Sequence, residues 1–280
     1  VFIPAEGPVI LFEYPKSEHL VKDICTIDEV RDCIVWDFFS NGNNVYKKAL
    51  EWSASVDDLM TRYVSENKNI AIDTLDPAGI SSLKDNYNYN LYNAQGLMEL
   101  ARSVKSEDEL TCIEASLCNA EKGIKLMHEK LEANITEEEL WSNLHKVNIA
   151  TGGEWFDTRL LSSGPRTNPW LQECSNRIIQ KGDLVAFDTD MVGTYGYCSD
   201  ISRTFVEGGK LTDEQKKLHD LAYENVKYNE QLIKPGITFK EFAEKSWKLP
   251  DEYYDNHYPC QIHGVGMCDE WPFIAFPNED

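Results

Sequence analysis

Ala186-Phe187-Asp188-Thr189-Asp190-Met191-Val192-Gly193-Thr194-Tyr195-Gly196-Tyr197-Cys198-Ser199-Asp200-Ile201-Ser202-Arg203-Thr204-Phe205 is the stretch on which the reading of this chain turns. The apolar run Leu184-Val185-Ala186-Phe187 predicts a strand, extended here from Leu184 to Asp190. Residues two apart on a strand share a face, so Asp188 and Asp190 are expected to point the same way. Gly193 and Gly196 permit a tight return, and Ile201 to Val206 reads as the next strand. Asp200 then comes back opposite the first two. Three carboxylates on one buried face repel each other, and a bound divalent cation is the simplest remedy because hard oxygen ligands suit such ions. The competing reading is a hairpin with exposed aspartates; strand interiors are depleted in Asp, which weighs against it.

A second cluster follows in Tyr258-Pro259-Cys260-Gln261-Ile262-His263-Gly264-Val265-Gly266-Met267-Cys268-Asp269-Glu270-Trp271-Pro272. Gly-x-Gly after His263 marks backbone that approaches something closely. A lone histidine is more often structural, but imidazole is the commonest nitrogen ligand of transition metals. Beside three aspartates, His263 is a candidate fourth ligand, with Asp269 a further carboxylate in the same loop.

Working outward, Ser106-x-x-Glu109 is a capping box that opens a long helix carrying Leu110, Ile113, Leu117, Ile124 and Leu131. Thr136-x-x-Glu139 opens another, stopped by Gly152-Gly153, and Trp155 to Leu161 reads as a strand. Thr212 caps a helix running towards Leu232 and ended by Pro235-Gly236; Thr238-x-x-Glu241 caps one more. Before residue 100, Val9 to Phe12 and Ile70 to Ile72 read as strands, Val56 to Tyr63 as a helix and Asp76-Pro77-Ala78-Gly79 as a turn. That segment contains no metal-ligand cluster and looks like an accessory α/β domain.

The 280 residues suffice for two domains. No apolar run is long enough to cross a membrane as a helix. A net charge of −21, from 48 acids and 27 bases, argues against nucleic-acid partners and favours cationic ligands and metal ions, though it also serves solubility. The eight cysteines form no C-x-x-C pair and read as buried free thiols in a reducing, cytoplasmic compartment. Because the chain opens on Val1 without a leader-like pattern, an N-terminal segment is expected to precede it.

Gly196-Tyr197-x-x-Asp200-Ile201-x-Arg203-Thr204-Phe205, then Lys234-Pro235-Gly236, then His263-Gly264-Val265-Gly266 resembles the motif order of the pita-bread (creatinase/prolidase/methionine aminopeptidase) superfamily. The resemblance covers about 106 to the end. It implies an α+β fold: a pita-bread catalytic domain over 106–280 behind a smaller α/β N-terminal domain over 1–105. It also implies two divalent metal ions, with Asp188, Asp200 and His263 as ligands, and a homodimer. Two further metal-ligating glutamates are implied downstream of the His-Gly-x-Gly loop. Neither Glu270 nor Glu279 matches them, so the chain is expected to stop before them.

Three departures narrow the resemblance. Asp188 to Asp200 spans twelve residues rather than eleven, with Asp190 added. Ser163-Gly164-Pro165-Arg166-Thr167-Asn168-Pro169 leads to Trp170 instead of a histidine. The His-Gly-x-Gly loop runs on to Asp269-Glu270-Trp271-Pro272. Together these resemble dimethylsulfoniopropionate (DMSP) lyases of the DddP type. That likeness implies Asp188, Asp190, Asp200 and His263 as metal ligands, Asp269 as catalytic base and Tyr258 as a substrate-positioning residue, acting on a small zwitterion. Iron is the favoured metal, with zinc or manganese as alternatives. A sulfonium is a soft cation that suits an aromatic face, for which Trp155, Trp170 and Tyr258 are candidates, ordinary core packing being the alternative for the tryptophans. Rival readings are an Xaa-Pro metallopeptidase, a hydrolase of small osmolytes, and a metal-free binding module; retention of Asp188, Asp200 and His263 opposes the last.

Overall fold

The computed structural model describes residues 1–21 and 26–277. The chain divides into two compact units, Val1–Met98 and Glu99–Asp280.

In the first unit, β1 (Ile10–Glu13) pairs in parallel with β2 (Glu29–Asp32). After the short α1 (Phe38–Asn41) comes α2 (Val45–Tyr63). Then β3 (Asn69–Ile72), α3 (Pro77–Tyr87) and β4 (Asn90–Asn93) form a β-α-β unit whose strands run parallel, Ile70 facing Leu91. Val56 and Met60 of α2 pack on Leu83 of α3 and on Tyr89. Two expectations are corrected here. The helix at 56–63 begins eleven residues earlier, at Val45, and its first half carries apolar residues at helical spacing too, Ala49 being fully buried and Trp52 packed on the same core. Asp76-Pro77-Ala78-Gly79 is not a free turn but the start of α3. Asp76 Oδ1 accepts from Gly79 N at 2.7 Å, and Pro77 sits in the first turn, where its missing N–H costs nothing.

α4 (Gln95–Ser103) leads into the second unit. There α5 (Glu107–Lys130) and α6 (Glu137–Ala150) both start with complete capping boxes, from Ser106/Glu109 and Thr136/Glu139. They cross closely at Gly123, where a Cβ would lie 2.4 Å from Leu144 Cδ1. Ile124, Met127, Leu140 and Leu144 from these helices pack on Leu161, Val185, Phe187 and Met191 from the strands. Each such buried side chain contributes about 1.5–3 kcal/mol of apolar transfer.

The strands form two antiparallel three-stranded sheets and a hairpin. One sheet has the order β10 (Arg203–Val206), β7 (Leu184–Phe187), β6 (Leu161–Ser163). The other is β5 (Trp155–Phe156), β8 (Met191–Val192), β9 (Cys198–Ser199). The hairpin is β11 (Ile262–Val265) with β12 (Asp269–Ile274). Between them run α7 (Asp213–Glu230), capped by Thr212 with Gln215, α8 (Phe239–Lys245), capped by Thr238 with Glu241, and the short α9 (Asp251–Tyr254).

The expected strand at 155–161 is broken in two and the one at 184–190 ends at Phe187, since the chain passes from one sheet to the other there, and Ile201–Ser202 lie outside β10. The described cysteines are all unpaired, but only Cys174, Cys198 and Cys260 are buried, and Cys118 is exposed. Cys25 lies outside the described residues, as does Glu279. Among the described residues, no helix is long and apolar enough to cross a membrane.

Candidate metal centre

Asp188-Thr189-Asp190 carries the chain out of β7 and into β8, so it crosses between the two sheets. Asp200-Ile201-Ser202 crosses back, from β9 into β10. The antiparallel register Met191↔Ser199, continued by one residue, sets Asp190 opposite Asp200. Thr189, fully buried, stitches the crossings together: its Oγ1 donates to Ser199 O at 2.8 Å and accepts from Ile201 N at 2.9 Å.

The three aspartates therefore converge, but not for the expected reason. Asp188 and Asp190 are not alternate residues of one strand. Asp188 N still donates to Leu160 O at the end of the first sheet, whereas Asp190 turns in the left-handed region at φ 35°. Asparagine and aspartate tolerate that region better than other non-glycine residues. Asp188, Asp190 and Asp200 each bring a carboxylate oxygen within 4.8 Å of the others, and Asp200, His263 and Asp269 form a second such group. Asp200 belongs to both.

His263 enters from β11, its Nε2 3.2 Å from Asp200 Oδ2. Its Nδ1 lies 3.0 Å from Gly264 O, the arrangement in which the Nδ1 proton is given to a carbonyl and Nε2 is presented to the carboxylates. Asp269 opens β12, paired with Val265, with Oδ1 4.0 Å from His263 Nδ1. It is thus a strand residue rather than part of the loop. The two glycines after His263 are where the hairpin strands touch. A Cβ on Gly264 would meet Glu270 O and Trp271 O at 2.8 Å, and one on Gly266 would strike the Glu270 carboxylate at 2.4 Å.

The electrostatics follow from burial. Burial, with Asp200 adjacent, pushes the Asp188 carboxyl up to about 8. Asp190 is also raised, chiefly by burial. Burial acts upward on Asp200 too, but hydrogen bonds from His263 and Asp188 outweigh it and hold this carboxyl below its ordinary range. The bond to Asp200 lifts His263 to about 9 against the pull of burial. Burial and the Asp200 charge raise Asp269 to about 6. Among the described residues, no lysine or arginine pairs with Asp188 or Asp190. Buried carboxylates without a basic partner, beside an imidazole whose far nitrogen is already committed, are a donor set that fits divalent cations.

A cavity of about 1130 Å³ opens onto Asp188, Asp200 and His263. Trp170 and Tyr258 line it as well. Burial and nearby thiol and carboxylates push the Tyr258 phenol up to about 12. Trp155 does not line it: this side chain sits on β5, 57% exposed, which removes it from the aromatic wall proposed from sequence. Asp269 is also absent from the lining, lying beside His263 instead.

Three contributors escaped the sequence reading. Thr189 is one. Thr158 donates its hydroxyl to Asp190 Oδ2. Glu270, whose side chain is almost fully buried, binds Lys105 Nζ at 2.7 Å and accepts from Met267 N at 2.9 Å, pinning the turn between His263 and Asp269. A glutamate four residues after Gly-x-Gly was the available signal for Glu270. Nothing local marked Thr158.

Comparison with known proteins places this geometry. Over 285 residues the chain is 34% identical to dimethylsulfoniopropionate lyase DddP of Roseovarius nubinhibens, covering 100% of this chain and 64% of that protein. It is 30% identical over 219 residues to an Xaa-Pro dipeptidase of Pyrococcus horikoshii, covering 76% and 62% respectively. The chain thus spans a little under two thirds of the length of both relatives. The solved prolidase from Pyrococcus furiosus superposes with a TM-score of 0.73 at 22% identity, over 97% of this chain and 75% of that one. The fold is accordingly the pita-bread α+β fold with a smaller α/β unit before it. The model of metallopeptidase family M24 matches residues 112–280, and the chain belongs to that family.

Proposed function

We propose that the protein is a metal-dependent lyase that cleaves dimethylsulfoniopropionate to dimethyl sulfide and acrylate. The observation that carries this reading is Asp190, a third buried carboxylate added to the Asp188/Asp200 pair at the sheet crossover. The relative at 34% identity, named as such a lyase, supports it.

In this reading Asp188, Asp190, Asp200 and His263 hold two divalent ions, iron by preference and zinc or manganese as alternatives. Ions held there supply positive charge for the substrate carboxylate and for the enolate-like charge that builds as the α-proton leaves. The chain's own groups do the rest. Asp269, raised to about 6, is ionised at neutral pH yet basic enough to accept a proton. It takes the proton from the α-carbon of a substrate that reaches past the cavity wall at His263, beside which Asp269 lies. The C–H bonding pair becomes the second bond of the carbon–carbon double bond, the β-carbon–sulfur bond breaks, and sulfur keeps the carbon–sulfur pair as neutral dimethyl sulfide. Acrylate remains, and no acid is needed for the leaving group. Trp170 and Tyr258 offer aromatic faces to the sulfonium. A cytoplasmic homodimer belongs to the same proposal.

The test is headspace dimethyl sulfide from the metal-loaded full-length protein, beside proline release from Xaa-Pro dipeptides. Dimethyl sulfide is expected, with Asp269→Asn lowering turnover about 10²- to 10⁴-fold. Unchanged turnover in Asp269→Asn would remove Asp269 from the base role. Proline release alone would favour the second reading, an Xaa-Pro metallopeptidase, which the 30% identity to the Pyrococcus dipeptidase supports.

A further inference from the structure

Asp190 is gripped at two points by one short segment between β5 and β6. Asp157 N donates to the Asp190 carbonyl at 3.0 Å, continuing the β5–β8 ladder by one residue. The next residue, Thr158, donates its hydroxyl to Asp190 Oδ2. Asp190 is 6% exposed and sits at φ 35°, in a backbone region that carries a cost for any side chain. A buried carboxylate on strained backbone has few ways to keep its orientation. Among the described residues, the Thr158 hydroxyl is the only side-chain hydrogen-bond donor recorded for the Asp190 carboxylate.

Resting on the reading of Asp190 as a ligand, we propose that Thr158 is a positioning residue that fixes the Asp190 carboxylate for metal binding. One acceptor direction of Oδ2 is occupied by the hydroxyl, and the carboxylate plane is thereby set towards Asp188 and Asp200. Asp190 becomes a donor of defined direction rather than a freely rotating group, held in place against the repulsion of the nearby Asp157 and Asp200 charges. Outer partners of this kind typically change metal affinity by about 10- to 100-fold when lost.

The test is Zn²⁺ affinity of the full-length protein, measured by competition with a chromophoric chelator, so that lyase turnover plays no part. Thr158→Val keeps the shape and deletes the hydroxyl; Thr158→Ser keeps the hydroxyl. Thr158→Val is expected to weaken Zn²⁺ binding about 10- to 100-fold, and Thr158→Ser to bind within about threefold of wild type. The metal-free melting temperature of each variant reports any purely structural effect. Affinity unchanged in Thr158→Val overturns the proposal, as does equal weakening in both variants. Asp190→Asn binding as tightly as wild type also overturns it, by removing Asp190 from the ligands. Absence of dimethyl sulfide production by the metal-loaded wild type, with the expected Zn²⁺ affinity difference between Thr158→Val and Thr158→Ser, would count against the lyase reading and leave Thr158 in place.

Discussion

His145 shows how a single ring on the scaffold reports on pH without touching the candidate metal centre. It stands on α6 against Phe156, ring centroids 4.0 Å apart, with Trp141 at 6.1 Å. Burial, with Arg159 nearby, holds its imidazole below the ordinary value of 6.5. The neutral ring is therefore preferred in the fold, and the unfolded chain binds more protons over the interval below 6.5. By linkage, this contribution to stability is full above the unfolded value and is lost as pH falls through the depressed one. His145→Gln should accordingly flatten the fall in melting temperature between about pH 6.5 and pH 5. Parallel curves for wild type and variant over that interval would show that the ring does not report in this way. At the same scale, the return of Asp200 to the first two aspartates was legible from spacing, because a short return loop closes on itself, whereas Asp188 and Asp190 meet across a sheet crossover and not by the strand alternation expected of them. The φ of Asp190 was not, since only the crossover between two sheets imposes it. Thr158 was equally hidden, its partner being 32 residues away.

Elements are joined to the site by buried carboxylates that the mechanism does not use. Glu137, fully buried in the first turn of α6, accepts from Ser163 N and Oγ at 2.8 Å, from Ser175 N at 3.0 Å and Oγ at 2.8 Å, and pairs with Arg166. It thus ties the α6 N-terminus to both ends of the 163–175 segment, which carries Trp170 into the cavity wall. Removing the carboxylate strands the donors of buried Ser163 and half-buried Ser175, at about 1–3 kcal/mol each, while Arg166, 27% exposed, regains water, for about 3–5 kcal/mol in all. Glu137→Ala should lose about that much in a denaturant titration, whereas Glu138→Ala, an acidic neighbour in the same turn, should lose under about 0.5 kcal/mol. Similar losses in the two would show that Glu137 anchors nothing. Capping explains which elements were legible. The boxes at Ser106, Thr136, Thr212 and Thr238 are complete within four residues, so sequence alone reveals them. Asp76-Pro77 satisfies a helix start and a turn equally well, and only packing of Leu83 on Met60 and Val56 decides between them. Glu270 finds Lys105 across 165 residues, a distance at which no sequence window could pair them.

Across the whole molecule, charge sets a condition that no single site reveals. The net charge of −21, from 48 acids against 27 bases, leaves the acids in strong excess and the molecule with a net self-repulsion. Such self-repulsion opposes the compact state. Ion pairs such as Lys48–Glu51 and Arg62–Asp58 oppose it locally, but they are exposed, and pairs of that kind contribute about 0–1 kcal/mol each. Added salt weakens both effects. The pairs act over a few ångströms, within the Debye length of about 8–10 Å at 0.10–0.15 M, while the repulsion acts largely beyond it and is screened first. The melting temperature of the chelator-treated protein should therefore rise as monovalent salt increases from about 0.02 M to about 0.2 M. Screening depends on ionic strength and not on the cation, so NaCl and tetramethylammonium chloride should give the same rise. A fall with salt would mean that local pairs outweigh the net charge. A rise with NaCl alone would point to sodium taken up by the carboxylates themselves, with Asp188, Asp190 and Asp200 the first group to substitute.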